Sequence, residues 1–151
     1  MGLDMYLERE VWLGAYFDHR EVEGEVSPSI NGKKVDVDPS KIETITEKIG
    51  YWRKANAIHG WFVDNVQGGE DDCGRYRVDL EQAKALLANV NSVLDNHDLA
   101  SELLPSRPGF FFGNTEYDQW YFSDLELTKE ILEAAIPFLE AGDTVYYHSS
   151  W

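Results

Sequence analysis

The feature that most constrains the fold is a helical pattern over residues 52–66, which ends at the glycine pair Gly68-Gly69. At 3.6 residues per turn, this segment gathers its apolar side chains on one broad face, which includes Ile58 and Phe62. A glycine just beyond the last periodic residue is a usual signal for the end of a helix. The sequence therefore predicts a central helix over 52–66 with Ile58 and Phe62 buried.

Two residues of this segment do not fit an ordinary surface helix. Gly60 falls in the helix interior, where glycine costs about 1 kcal/mol relative to alanine, so we expect a close neighbour of the backbone there. Trp61 falls on the polar face, and an exposed tryptophan is typical of a contact surface. We therefore expect Trp61 to be largely exposed and to contact a partner or a second copy.

The rest of the pattern predicts an α+β fold. Apolar and β-branched runs predict strands at 4–8, 11–17, 22–30, 33–37, 42–49, 74–78 and 144–149. Asn31-Gly32 is a hairpin signal, and Gly50 is expected to separate the strand 42–49 from the central helix. Residues 42–49 also have helical spacing, but we prefer the strand. We expect an antiparallel or mixed sheet of four to six strands, with about three helices packed on it.

Two capping boxes predict the starts of the other helices. Asp79 with Gln82 begins one helix, and Ser123 with Glu126 begins a second that ends near residue 142. The expected buried stripe of the first is Leu80, Ala83, Leu87, Val90 and Leu94. Between the two helices, residues 109–122 hold seven aromatic side chains around a turn at 113–116, which predicts an aromatic hairpin.

Length and charge restrict the class of protein. With 151 residues the chain is long enough to bury a core, and we expect a single domain over 1–151. Thirteen Lys and Arg residues against 28 Asp and Glu residues give a net charge of −15. General binding to nucleic acid or anionic membrane is not expected, because that attraction comes from lysine and arginine. The charge instead suits a partner with a basic face.

The cysteine count and the start of the chain predict a cytoplasmic protein. Cys73 is the only cysteine, so no intramolecular disulfide can form and a reducing compartment is expected. The first residues lack the basic start and apolar run of a signal peptide. No apolar stretch approaches the roughly 20 residues that a membrane span needs.

Several sequence blocks occur together in this chain: MGLDMYL, GYWRKANAIHGWFVDNVQ followed by DDC, ELLP before GFFFG, YDQWYFSDL, and the final SSW. In this combination, which covers about half of the chain, the sequence resembles a family of small proteins from phages, prophages and bacterial genomes. The resemblance brings no activity, ligand or catalytic residue with it. It implies a phage–host setting, in which small acidic proteins inhibit host machinery or sequester signalling molecules.

One combination of residues fits an enzyme. Cys73, His59 and one of Asp71 and Asp72 have the types needed for a nucleophile, a base and an orienting carboxylate. A small hydrolase or transferase is therefore an alternative function. Against it, His59 is on the apolar face of the predicted helix, and a lone cysteine usually behaves as a small hydrophobic residue.

The same region contains oxygen and nitrogen ligands for a divalent ion, in Asp71, Asp72, His59 and Glu70. The spacing matches no metal-binding motif, since there is no H-x-x-x-H, CxxC or D-x-D-x-D-G pattern. An Asp-Asp pair after two glycines is also an ordinary solvated turn. We therefore predict no metal and no cofactor.

The leading hypothesis is a non-enzymatic binding protein that acts on a host protein or sequesters a small nucleotide-like ligand. Guanidinium groups beside aromatic rings suit a phosphate together with a base. The expected ligand-binding residues are Tyr51, Arg53, Asn56, His59, Trp61, Asp72 and Arg75. A third hypothesis is an acidic inhibitor that occupies a nucleic-acid-binding surface of another protein.

Overall fold

The computed structural model describes residues 2–13 and 26–151. Two sequence predictions extend beyond these ranges. The second half of the predicted strand 11–17 and the first residues of the predicted strand 22–30 lie outside the described residues.

The described residues form an antiparallel sheet with helices on one side, which confirms the predicted α+β fold. The strands are β1 (Asp4–Trp12), β2 (Ser29–Ile30), β3 (Lys33–Lys34), β4 (Thr44–Arg53), β5 (Tyr76–Val78) and β6 (Thr144–Ser150). Four of them form the main sheet in the order β4-β1-β6-β5, and each neighbouring pair is antiparallel. β2 and β3 form a separate hairpin. Its turn is Asn31-Gly32, as predicted, and both residues have the positive φ of a type I′ turn.

Two predicted breaks in the sheet are wrong. β1 is one strand rather than two, because every residue from Asp4 to Trp12 pairs with β4. Gly50 does not end β4 but lies within it, where Ile131 and Leu7 pack so closely that a side chain would not fit. The register of β1 and β4 shifts next to this close contact, between Leu7 and Glu8.

The helices are α1 (Asn56–Asn65), α2 (Leu80–Asp95), the short α3 (Ala100–Leu103) and α4 (Gln119–Glu140). The prediction that the central helix begins at residue 52 is wrong. Trp52 belongs to β4, where it pairs with Met5 and is completely buried. The chain then turns at Lys54, whose φ is 61°, and α1 begins two residues later.

The capping box of α2 is present as predicted. Asp79 Oδ1 accepts from the Gln82 backbone N–H at 2.7 Å, and Gln82 Oε1 accepts from the Asp79 N–H at 2.9 Å. The buried stripe is rotated relative to the prediction, because Leu86 and Val93 are buried whereas Leu80, Leu87 and Leu94 are half-buried. α2 packs along α4, and this contact fixes its orientation.

The predicted aromatic hairpin over 109–122 is wrong. Residues 104–118 form an irregular segment, and α4 begins at Gln119, four residues before the predicted Ser123 cap. Asp118 is the N-cap, because its Oδ1 accepts from the N–H groups of Trp120 and Tyr121. Several aromatic residues expected in a strand therefore belong to the first turns of a helix.

The core lies between one face of the sheet and the helices. Phe62 of α1 is completely buried and stacks on Tyr147 of β6, with ring centroids 3.9 Å apart. Trp52 donates from Nε1 to Thr128 Oγ1 of α4 at 2.8 Å. Ile58 is also buried, so both burial predictions for the central helix are confirmed. None of the helices in the described ranges has the length and apolar character required to cross a bilayer.

Candidate functional site

The seven residues expected to bind a ligand do not form one site. Arg53 and Asn56 line a cleft beside the start of α1. His59 is buried, Trp61 lines a second hollow, and Asp72 lies in a turn. The last two, Tyr51 and Arg75, lie on the face of the sheet that is opposite to the core.

His59 links the core to the surface through two hydrogen bonds. Its Nδ1 lies 2.7 Å from the Tyr147 hydroxyl, and its Nε2 lies 2.9 Å from Asp71 Oδ2. The other oxygen of Asp71 accepts from Trp151 Nε1 at 3.1 Å. Burial, together with the charges of Asp71 and Cys73, raises the pKa of Tyr147 well above its ordinary value. Because both ring nitrogens are occupied and the ring is only 1% exposed, His59 acts as a structural link.

The geometry required for the hydrolase hypothesis is not formed. Cys73 is exposed and has a φ of 57°, and within the described residues the partners of His59 are Tyr147 and Asp71 rather than the thiol. A base must reach the proton that it removes. Within the same residues, no group of three or more His, Cys, Asp and Glu side chains has the arrangement of a metal site.

Asp72 stabilises the turn that follows the glycine pair. Its Oδ1 accepts from the Gly74 N–H at 2.8 Å, and its Oδ2 accepts from the Tyr76 hydroxyl at 2.9 Å. These hydrogen bonds lower the pKa of the Asp72 carboxyl. The role of this residue is therefore local.

Arg75 is neutralised on the outer face of the sheet. Its guanidinium contacts Glu8 and Glu10, each at 3.1 Å, and lies 3.7 Å above the ring of Tyr146. Burial raises the pKa of Glu8, but hydrogen bonds from His148 and Arg75 outweigh it, so that the pKa is lowered overall. An arginine held in this way has little capacity left for a ligand phosphate.

Trp61 is half-buried, not largely exposed as predicted. It packs edge-on against Phe62 with centroids 5.5 Å apart and lines a hollow near Asp64 and Arg107. Arg107 forms an ion pair with Asp64 and lies where a side chain at position 60 would be. The expected close neighbour of Gly60 is thus confirmed as the Arg107 side chain.

A cleft of about 220 Å³ lies between the start of α1, the irregular segment and the start of α4. We call it the α1–α4 cleft. Its lining includes Arg53, Lys54, Asn56, Asp118, Trp120 and Asp124.

One wall of the α1–α4 cleft is positively charged. Arg53 and Lys54 are exposed, and neither forms an ion pair with any residue in 2–13 or 26–151. Ala55, at the N-cap of α1, has no side chain that accepts from the first-turn amides, and this turn lines the cleft. The start of a helix carries a partial positive charge, so this wall favours an anion.

Asn56 stabilises the wall of the cleft rather than contacting a ligand. Its Nδ2 donates to the carbonyl oxygens of Phe112 and Asn114 at 3.1 and 2.8 Å, and its Oδ1 accepts from the Arg107 N–H at 3.0 Å. The side-chain amide therefore holds the irregular segment against α1.

The other wall, from α4, combines an aromatic ring with a carboxylate. Trp120 is 67% exposed. Asp124 is half-buried, and burial, helped by the charge of Asp118, raises the pKa of its carboxyl to about 6. Sequence reasoning missed both residues because it placed Trp120 in a hairpin and Asp124 at the start of the following helix, and so did not bring them together. The signal that could have identified them is the spacing of four residues between Trp120 and Asp124, which places both side chains on one face of a helix.

Comparison of this chain with family models, curated proteins and solved structures gives no match. The resemblance to small phage and prophage proteins therefore stays a prediction. Any assignment of function rests on the geometry of the α1–α4 cleft.

Proposed function

We propose that the protein is a non-enzymatic binding protein that sequesters a small nucleotide-like ligand in the α1–α4 cleft. The observation that carries this proposal is that Arg53 and Lys54, two cations with no ion pair among the described residues, line the same cleft as the exposed ring of Trp120. A nucleotide carries a phosphate and a flat base, and the two walls match these two parts.

The phosphate is assigned to the wall formed by the end of β4 and the start of α1. A guanidinium group can form two parallel hydrogen bonds to a phosphate, and an ammonium group adds a point charge. The net charge of −15 repels anions at long range. Short contacts with Arg53 and Lys54 must therefore supply the attraction.

The base is assigned to the wall formed by α4. Stacking of a base on an aromatic side chain contributes about 1–3 kcal/mol, and Trp120 offers an exposed ring for it. The acidic side chains of this wall suit the N–H and O–H donors of a base and a ribose. A volume of about 220 Å³ is below the usual range of about 300–1,000 Å³ for ligand pockets, which favours a mononucleotide.

The biological role that we propose is a phage accessory function in the cytoplasm, in which the protein lowers the free concentration of a host nucleotide signal. A second candidate is binding of a host protein. It is favoured by two exposed aromatic side chains, Phe110 of the irregular segment at 95% and Trp120 of α4 at 67%.

Calorimetry with mononucleotides, dinucleotides and cyclic nucleotides tests the proposal. We expect a mononucleotide to bind, and Arg53→Ala to weaken its binding about 10- to 100-fold, because one charge-assisted contact is lost. Arg77→Ala is the matched control, since Arg77 is an exposed arginine outside the cleft. This variant should bind the mononucleotide with unchanged affinity. Heat signals that are absent across the whole panel at high protein concentration would overturn the nucleotide proposal in favour of protein binding.

A further inference from the structure

Asp124 is a carboxylate in the α1–α4 cleft that the fold does not use. Its carboxyl group has no hydrogen-bond partner within the described residues, although its backbone carbonyl accepts from Thr128 Oγ1 at 2.6 Å. It is half-buried and lines the cleft. A half-buried carboxylate is costly unless its oxygens are bonded, so a ligand with matching donors would gain from meeting it.

The position of Asp124 on α4 relates it to the proposed base. Trp120 and Asp124 are four residues apart on α4, a spacing that brings two side chains to the same side of a helix. A ring stacked on Trp120 can therefore direct its edge toward the Asp124 carboxylate.

Resting on the proposed nucleotide-binding function, we infer that Asp124 makes the cleft selective for guanine, by accepting hydrogen bonds from the N1–H and the N2 amino group of the base. These two donors are adjacent on the guanine ring and match the two oxygens of a carboxylate. Adenine presents an unprotonated N1 at the same edge, which a carboxylate repels.

The other charged groups of the cleft do not offer this contact. Asp118 is occupied, because its Oδ1 caps α4 and its Oδ2 lies 3.4 Å from Asn114 Nδ2. Glu116 is exposed. Arg53 and Lys54 are cations and suit the phosphate. Asp124 is thus the acceptor that remains for the base.

The selectivity should depend on pH. Burial raises the pKa of Asp124 to about 6, and the charge of Asp118 adds to the effect. The contact with guanine requires the ionised carboxylate, so affinity for GMP should fall as the pH is lowered from 7.5 to 5. The affinity for AMP should fall less over the same pH range, because AMP does not make this contact.

The test compares GMP, AMP, XMP and free arginine on the wild-type protein and on Asp124→Asn by calorimetry. We expect GMP to bind at least about 10-fold more tightly than AMP, and Asp124→Asn to reverse the preference between GMP and XMP. Xanthine presents a donor at N1 and an acceptor at C2, which match the oxygen and the amino group of a carboxamide. Glu116→Gln removes one charge from the same cleft and should leave the GMP-to-AMP ratio unchanged.

The outcomes separate the two proposals. Equal affinity for GMP and AMP, together with a ratio unchanged in Asp124→Asn, would overturn the guanine inference and leave nucleotide binding intact. Preferential binding of free arginine would overturn guanine as the ligand. No binding by any nucleotide would overturn both. If Asp124→Asn does not fold by circular dichroism, the pH series on the wild-type protein decides, and a GMP-to-AMP ratio that stays constant from pH 7.5 to 5 contradicts the inference.

Discussion

Carboxylates in this protein differ in pKa because their surroundings differ. At Asp72, a backbone N–H and a tyrosine hydroxyl stabilise the charge and lower the pKa. At Asp124, burial, helped by the charge of Asp118, does the opposite and raises the pKa to about 6. A residue that stabilises a turn can thus be distinguished from one that is free for a ligand. Asp124 lines the α1–α4 cleft, whereas Asp72, the aspartate chosen from the sequence, is bonded within its own turn.

Asp124→Asn should stabilise the protein near pH 7. The pKa of Asp124 is raised from 3.8 to about 6 on folding, so the folded state binds the proton more tightly. The contribution of Asp124 to the stability of the folded state is most favourable below about pH 4 and is lost as the pH rises through 6. The pKa shift corresponds to about 3 kcal/mol. Because the group is partly exposed and solvent screens it, we expect the variant to gain roughly 1 kcal/mol in the free energy of unfolding.

Urea titrations of both proteins between pH 4 and 8 measure this effect. The difference in the free energy of unfolding should grow from pH 4 to 6 and then stay constant. A variant that is less stable than the wild type at pH 7 would mean that the carboxylate has a favourable partner in the folded protein.

Among the elements, one of the two predicted capping boxes was correct, and the long-range contacts were not predictable. The capping box of α2 involves residues three apart, and the sequence identified it correctly. The start of α1 depends on Trp52 pairing with Met5 on a distant strand, which no periodicity reveals. The α1–α4 cleft also depends on contacts between distant parts of the chain. Arg53 was predicted as a ligand contact, whereas Trp120 and Asp124 belong to α4, more than 60 residues away, and their helix was expected to start later.

Asn56→Ala should loosen the irregular segment that forms one side of the cleft. The substitution removes three hydrogen bonds, to Phe112, Asn114 and Arg107. We expect a loss of about 1–3 kcal/mol in the free energy of unfolding and faster hydrogen exchange over 107–114. Asn65→Ala is a matched control, because Asn65 makes a single exposed bond to the Trp61 carbonyl. Exchange over 107–114 that is the same in Asn56→Ala and the wild type would refute this role for Asn56.

For the whole molecule, the negative net charge opposes the binding of an anion at the proposed phosphate site. Twenty-eight acidic residues against 13 basic ones create a field that repels anions, yet Arg53 and Lys54 form no ion pair with any residue that the structure describes. Arg75 shows the alternative, since two glutamates neutralise it on the outer face of the sheet. Added salt screens both the long-range repulsion and the short contacts. Nucleotide affinity should therefore depend less on salt than in a basic nucleotide-binding protein.

An NMR titration with GMP can show whether a nucleotide binds in the α1–α4 cleft. We predict shifts of the backbone amides of Arg53, Lys54 and Ala57 and of the indole N–H of Trp120, while the amides of Arg77 and His148 on the outer face stay constant. Shifts confined to the outer face, or no shifts at millimolar GMP, would mean that the cleft does not bind a nucleotide.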